Sequence, residues 1–208
     1  MSNITGAILA GGQSSRFGNT NKALALLDYK PLIQHVIDRL APQVSDLILS
    51  GEPYDDHQLS IPTPSKLVAD MTQGHGPLIA VLSCLNQLQE QNREQDRKQN
   101  NEWLLTSACD TPFLPLDLAE KLMRAAVTEK MPIAVAHDGT RLQPATMLWH
   151  RDLFPILKAE TETGIRGFHQ FLDTQPHAVF TWPVGTNHFI NINTQLDLEN
   201  AEALLPTS

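Results

Sequence analysis

Residues suited to phosphate chemistry stand where apolar runs of this sequence stop. The first run, Ile4 to Ala10, gives way to Leu9-Ala10-Gly11-Gly12-Gln13-Ser14-Ser15-Arg16-Phe17-Gly18, with Lys22 four positions on. Glycines after a strand admit positive φ and let backbone approach a ligand closely. Successive exposed amides in such a loop make an anion nest, and Arg16 and Lys22 add cations that match phosphate oxygens. The plainer reading is a glycine-rich turn beside two ordinary surface cations. The loop is neither Gly-x-Gly-x-x-Gly nor the Gly-Lys-Ser/Thr end of a P-loop. Its place after a strand, its three glycines and its two spaced cations together favour phosphate.

Three further segments end other apolar runs. Trp103 to Ala108 stops at Cys109-Asp110-Thr111-Pro112. A carboxylate at the end of a central strand suits Mg²⁺, which takes a few oxygen ligands plus substrate phosphates; an Asp before Thr-Pro also initiates a turn. Lys66 to Ala69 stops at Asp70, and Gly74-His75-Gly76-Pro77 follows. Glycines there permit close approach to a helix N-terminus, or serve a turn that caps it. Near the end stands Asn191-Ile192-Asn193-Thr194. Alternation puts both Asn side chains on one face of a short strand, and Asn193 or Thr194 also suits the N-cap of the closing helix. His137-Asp138-Gly139 reads as a hairpin turn. Arg166, in Gly164-Ile165-Arg166-Gly167, either meets an anionic substrate or is a helix-start charge.

The elements that must position these residues alternate. Ile4–Ala10, Asp46–Ser50, Lys66–Ala69, Trp103–Ala108 and Ile133–Ala136 read as buried strands. Helices open at Pro31, Pro77 and Pro115 between them. This pattern predicts an α/β protein: a three-layer, open, mostly parallel sheet with helices on both faces. Ligands in such sheets bind outside the carboxyl ends of the strands. The last third is less regular. Strands are expected at Ala145–Trp149, Ala178–Trp182 and Phe189–Ile192, and helices at Leu153–Ala159, Ile165–Leu172 and Leu196–Leu205. The polar stretch Gln89 to Glu102 reads as a frayed helix end plus a solvated loop.

The 208 residues suit one domain. Residues 1–115 form the expected nucleotide-binding half and 116–208 the acceptor half. The net charge of −8 argues against broad nucleic-acid or anionic-membrane binding. Two cysteines with no disulfide-scaffold or zinc spacing, no leader before the first strand and no membrane-span-length apolar run lead to a cytoplasmic expectation. Covalent catalysis is not expected. There is no Gly-x-Ser-x-Gly turn, and Cys109 lies in an apolar setting beside a carboxylate, which disfavours its thiolate.

The loop from Leu9 to Gly18 with Lys22 resembles the signature of the sugar-nucleotide and cofactor nucleotidyltransferases. Cys109-Asp110-Thr111-Pro112 and the Asn-x-Asn-Thr segment narrow the resemblance to the molybdenum cofactor guanylyltransferases, over nearly the full chain. The resemblance implies a Rossmann-like nucleotidyltransferase fold. It also implies a reaction: GTP and molybdenum-loaded molybdopterin give the guanine dinucleotide cofactor and pyrophosphate. By carry-over, Leu9, Ala10, Gly11 and Gly12 contact the nucleotide, and Lys22 binds phosphate with Arg16 beside it. Asp70 contacts the nucleotide and Asp110 binds Mg²⁺. Gly76, Arg166, Asn191 and Asn193 face the pterin phosphate or the metal. Three positions depart from the family pattern: Ser50 where Asn is frequent, Ala80 where a second glycine is frequent, and Gln143 where His is common. The family's Ala-Gly-Gly loop goes with guanine and Ala-Ala-Gly with cytosine, so Gly11 leans towards GTP. The alternatives are a cytidylyltransferase, a sugar-phosphate nucleotidyltransferase or a catalytically silent nucleotide-binding partner subunit. Proteins that deliver or accept the cofactor are plausible partners.

Overall fold

The computed structural model describes residues 4–10, 22–51, 59–60, 65–68, 76–94 and 101–205. Nine strands and six α-helices lie in this order: β1 (Ile4–Leu9), β2 (Leu26–Leu27), β3 (Lys30–Pro31), α1 (Leu32–Leu40), β4 (Asp46–Ser50), β5 (Ser65–Val68), α2 (Pro77–Glu94), β6 (Trp103–Ala108), α3 (Leu118–Glu129), β7 (Ile133–His137), β8 (Leu142–His150), α4 (Phe154–Glu162), α5 (Phe168–Leu172), β9 (Ala178–Thr181) and α6 (Gln195–Glu202). Seven strands form one sheet in the order β5-β4-β1-β6-β8-β7-β9. Only β8 opposes its neighbours, pairing antiparallel with β6 and β7; every other pairing in the sheet is parallel. The carboxyl ends of β1, β4, β6, β7 and β9 therefore share one edge.

The period-two alternation along each strand divides the core between the two faces of the sheet. Ile4 and Ile8 of β1, Leu105 of β6 and Leu148 of β8 pack with Ile33, Val36 and Ile37 of α1 and Leu118 and Leu122 of α3. Their neighbours Ala7 and Leu9, Leu104, and Met147 and Trp149 pack with Leu78, Val81 and Leu85 of α2 and with Leu157, Phe168 and Phe171 of α4 and α5. The sheet thus lies between two helical layers, as the alternating sequence predicts. A third, smaller core joins Leu27 of β2, Leu32 at the start of α1, Ile192, and Leu198 and Ala201 of α6. Among the described residues, no helix is long and apolar enough to cross a membrane.

Several local expectations change. Phe189–Ile192 is not a strand: among the described residues its backbone bonds beyond its own loop once, from Ile192 N–H to the Asp110 carbonyl at 3.0 Å. The expected helix at 165 begins at Phe168, because Gly164 takes φ +105° and breaks the chain after α4. Residues 89–94 continue α2 rather than fraying from it. Asn101, expected in a solvated loop, is buried and donates to Thr5 Oγ1 and Asp46 Oδ2, both at 2.8 Å. The short hairpin of β2 and β3 offers too few residues for a periodic signal.

Candidate active site

The carboxyl ends of β1 and β6 lie side by side in register, Leu9 opposite Ala108. Cys109 N–H donates to the Leu9 carbonyl at 3.2 Å, which brings Asp110 against the end of β1. On the other side of β1, Ala10 N–H donates to the Ser50 carbonyl at 2.8 Å. Leu9, Ala10 and Ser50 therefore meet at one strand edge, with the Ser50 side chain buried. Gly11, Gly12, Arg16 and Asp70 lie outside the described residues.

Lys22 opens a 3-10 turn that leads into β2, and its side chain returns to the strand ends. The ammonium pairs with Asp110 Oδ2 and donates to Asn193 Oδ1 at 2.6 Å. Both members of the Lys22–Asp110 pair are only 15% exposed on their side chains. An ammonium has three N–H groups, and these contacts occupy two.

The segment 188–193 lies along residues 110–113 and completes the site. Thr111 Oγ1 donates to Asn191 Oδ1 at 2.8 Å, and His188 Nδ1 faces the Phe113 carbonyl at 3.3 Å. Ile192 is wholly buried between the two exposed asparagines, so the expected alternation survives without a strand. Thr194 is the N-cap of α6 in a capping box with Asp197, whose Oδ2 also accepts from the Asn193 amide at 2.9 Å. Thr194 thus caps α6 while Asn193 faces Lys22. Since Lys22 only donates, Asn193 must present its oxygen to it and turn its NH₂ group away.

Gly76 and Arg166 are neighbours, away from this cluster in sequence. Gly76 has φ +84°, and a Cβ there would stand 2.9 Å from the Arg166 carbonyl oxygen, so only glycine lets the segment before α5 close over the start of α2. The Arg166 guanidinium donates to the carbonyls of Thr161 and Ile165, capping the end of α4. It is a backbone-holding cation in this structure.

The hairpin turn after β7 is as expected, and sequence reasoning undervalued it. Desolvation pulls the Asp138 carboxyl upward. Hydrogen bonds from the Thr140 hydroxyl, the Arg141 and Thr140 amides and the Gln143 carboxamide outweigh that and hold it down to about 2. Gln143, at a position where the resemblance led one to expect His, thus supplies a 2.7 Å hydrogen bond to Asp138. Burial first, then the adjacent Asp110 carboxylate, push the Cys109 thiol up to about 12. A thiolate nucleophile is therefore excluded at neutral pH.

The sequence profile of the MobA-like NTP transferase domain matches residues 6–179. The chain is 33% identical over 192 residues to the molybdenum cofactor guanylyltransferase of Shewanella putrefaciens, covering 92% of each. It is 36% identical over 204 residues to the molybdenum cofactor guanylyltransferase of Rhodopseudomonas palustris, covering 95% of this chain and 90% of that one. Among solved structures, molybdopterin-guanine dinucleotide biosynthesis protein A of Archaeoglobus fulgidus superposes with a TM-score of 0.71 at 21% identity, over 96% of this chain and 97% of that one. A sheet with one edge of parallel strand ends, a Lys22–Asp110 pair across two of them and this likeness over nearly the whole length lead to one conclusion: the chain belongs to the MobA-like NTP transferase family.

Proposed function

We propose that this protein transfers GMP from GTP to the terminal phosphate of molybdenum-loaded molybdopterin, releasing pyrophosphate and molybdopterin guanine dinucleotide. The observation that carries the reading is the Lys22 ammonium held between Asp110 and Asn193 at the carboxyl ends of β1 and β6. The family relatives bear the same activity in their names. The two free cysteines fit a reducing cytoplasm.

Mg²⁺ fits the donors present. No group of three or more His, Cys, Asp or Glu side chains converges among the described residues. Mg²⁺ uses few protein ligands and completes its shell with phosphates and water. Asp110 is partly accessible, and its neighbours Asn191, Asn193 and Thr111 offer only oxygen and nitrogen groups of hard character. Asp110 would hold the ion, which would neutralise charge on the GTP phosphates.

The attacking group is a phosphate monoester, with a second pKa near 6, and is ionised at neutral pH. No strong base is needed. The work left to the protein is alignment and charge stabilisation. Among the described residues two partners engage the Lys22 ammonium, which leaves an N–H for phosphate, and these anchors hold it so that it need not reorganise during transfer. By resemblance, Gly11, Gly12 and Arg16 contact the triphosphate and Asp70 the nucleoside. The Asn193 NH₂, turned away from Lys22, is a donor for the acceptor phosphate, and Asn191 lies beside it. In the test, the protein is incubated with Mg²⁺, GTP and molybdenum-loaded molybdopterin. One pyrophosphate per guanine dinucleotide, both dependent on the pterin, is expected. GTP consumed equally without the pterin would overturn the reading.

A further inference from the structure

A cavity of about 210 Å³ opens between the β7–β8 turn and residues 184–190, with Asp138, Thr140, Arg141, Asn187 and His188 in its lining. We propose that it binds the pterin body of the acceptor, on the same sheet edge as the Lys22–Asp110 site. The inference rests on the transfer reading above and names residues outside that site.

Position is the first argument. The cavity sits at the carboxyl end of β7, on the same sheet edge as Asp110 at the end of β6. One strand, β8, separates them, so two strand spacings, roughly 10 Å, lie between the two strand ends. The segment that walls the cavity is the one that lines the phosphate site. His188 touches Phe113, Asn191 touches Thr111, and Ile192 bonds to the Asp110 carbonyl. An acceptor whose phosphate lies beside Lys22 would reach the cavity along this segment, on the side of β6 away from β1.

Chemistry is the second. Asp138 is not available to a ligand. Its Oδ1 accepts from Thr140 N and Oγ1 and from Arg141 N at 2.6–2.8 Å, and its Oδ2 accepts from Gln143. It fixes the turn and with it the base of Arg141. The Arg141 guanidinium makes one loose ion pair, Nε to Asp138 Oδ2 at 3.9 Å, and is 73% exposed. Its remaining N–H groups form the planar fork that suits a carbonyl edge or an anion. The Phe113 carbonyl can only accept, so His188 Nδ1 carries the proton; in the neutral ring Nε2 is then an acceptor. Among the described residues Nε2 has no hydrogen-bond partner. The cavity thus offers one cationic donor fork and one acceptor. A pterin ring carries both a carbonyl and amino groups on its edge and matches that pair.

The turn is also held against its opposite wall. Gly139 has φ +90°, and a Cβ there would meet Val184 Cγ2 at 2.5 Å. Trp182 N–H donates to the His137 carbonyl at 2.8 Å. The cavity is therefore bounded by two segments in fixed contact.

The test is steady-state kinetics of Arg141→Ala and His188→Asn with GTP and molybdopterin varied separately, alongside thermal melts. His188→Asn keeps a donor near the Nδ1 position, towards the Phe113 carbonyl, and removes Nε2. We expect KM for molybdopterin to rise about tenfold or more in each variant while KM for GTP and the melting temperature hold. An unchanged pterin KM, or an equal rise in both KM values, would overturn the assignment. Failure of the transfer reading itself is distinct: the unaltered protein would then form no guanine dinucleotide.

Discussion

Lys22 and Asn193 are 171 positions apart, yet the ammonium of one donates to the side-chain oxygen of the other at 2.6 Å. This contact joins the first loop region of the chain to its closing helix across the end of β6. It makes the site a product of tertiary structure rather than of one motif.

Removing the ammonium should be the most damaging change on the phosphate side. Lys22→Ala is expected to lower kcat by on the order of 10²- to 10³-fold, the usual cost of losing one preorganised electrostatic contact. Asn193→Ala should cost less, roughly tenfold to a hundredfold, since it loses one hydrogen bond to a charged group. Single-turnover rates at saturating GTP measure both. Equal activity of Lys22→Ala and the unaltered protein would remove the lysine from the mechanism.

Asp110 is assigned to the metal. Asp110→Ala should abolish turnover and leave the far-ultraviolet circular dichroism unchanged, because the backbone bonds at that strand end come from Cys109 N–H and the Asp110 carbonyl, not from its carboxylate. Raising Mg²⁺ concentration should not restore the rate. Near-normal turnover would favour a catalytically silent module.

Ile192 is the apolar anchor between the two asparagines, wholly buried with Leu27, Leu32, Leu198 and Ala201. Ile192→Ala should destabilise the protein by about 2–5 kcal/mol, as truncations of fully buried aliphatics do. Urea denaturation measures the loss. Activity should fall beyond the unfolded fraction, because the segment that carries Asn191 and Asn193 loses its seat.

Most of the architecture was legible because continuous apolar runs of strand length suit strands buried on both faces. Runs such as Ile4–Leu9 and Trp103–Ala108 alternate sides of a doubly covered sheet and admit few other readings. Asp110 stood out because a polar residue at the end of an apolar strand has few structural reasons to be there, and Lys22 because it follows a glycine-rich loop. What failed was set at long range. Phe189–Ile192 is apolar enough for a strand but, among the described residues, bonds beyond its own loop only at Asp110. The ligand-facing potential of Arg141 and His188 left no local signal, since it depends on the β7–β8 turn docking on residues 182–188.

The Asp138 carboxyl gives a pH signature. Held near 2 by its hydrogen bonds, it lies below its unfolded value, near 4. A depressed carboxyl contributes stability that is present above the unfolded value and is lost as pH falls through the folded one. The melting temperature of Asp138→Asn should therefore lie below that of the unaltered protein at pH 7. The gap should close as pH falls from about 5 towards 2. A gap that stays constant over that range would show that the carboxylate charge adds nothing to the turn.

The most direct test of the central claim is nucleotide choice. The protein is given Mg²⁺ and molybdenum-loaded molybdopterin with GTP, CTP or ATP in separate reactions, and kcat/KM is measured from pyrophosphate release. GTP is expected to be used, with CTP and ATP poor substrates by comparison. Pyrophosphate release with CTP in preference to GTP, or with none of the three, would contradict it.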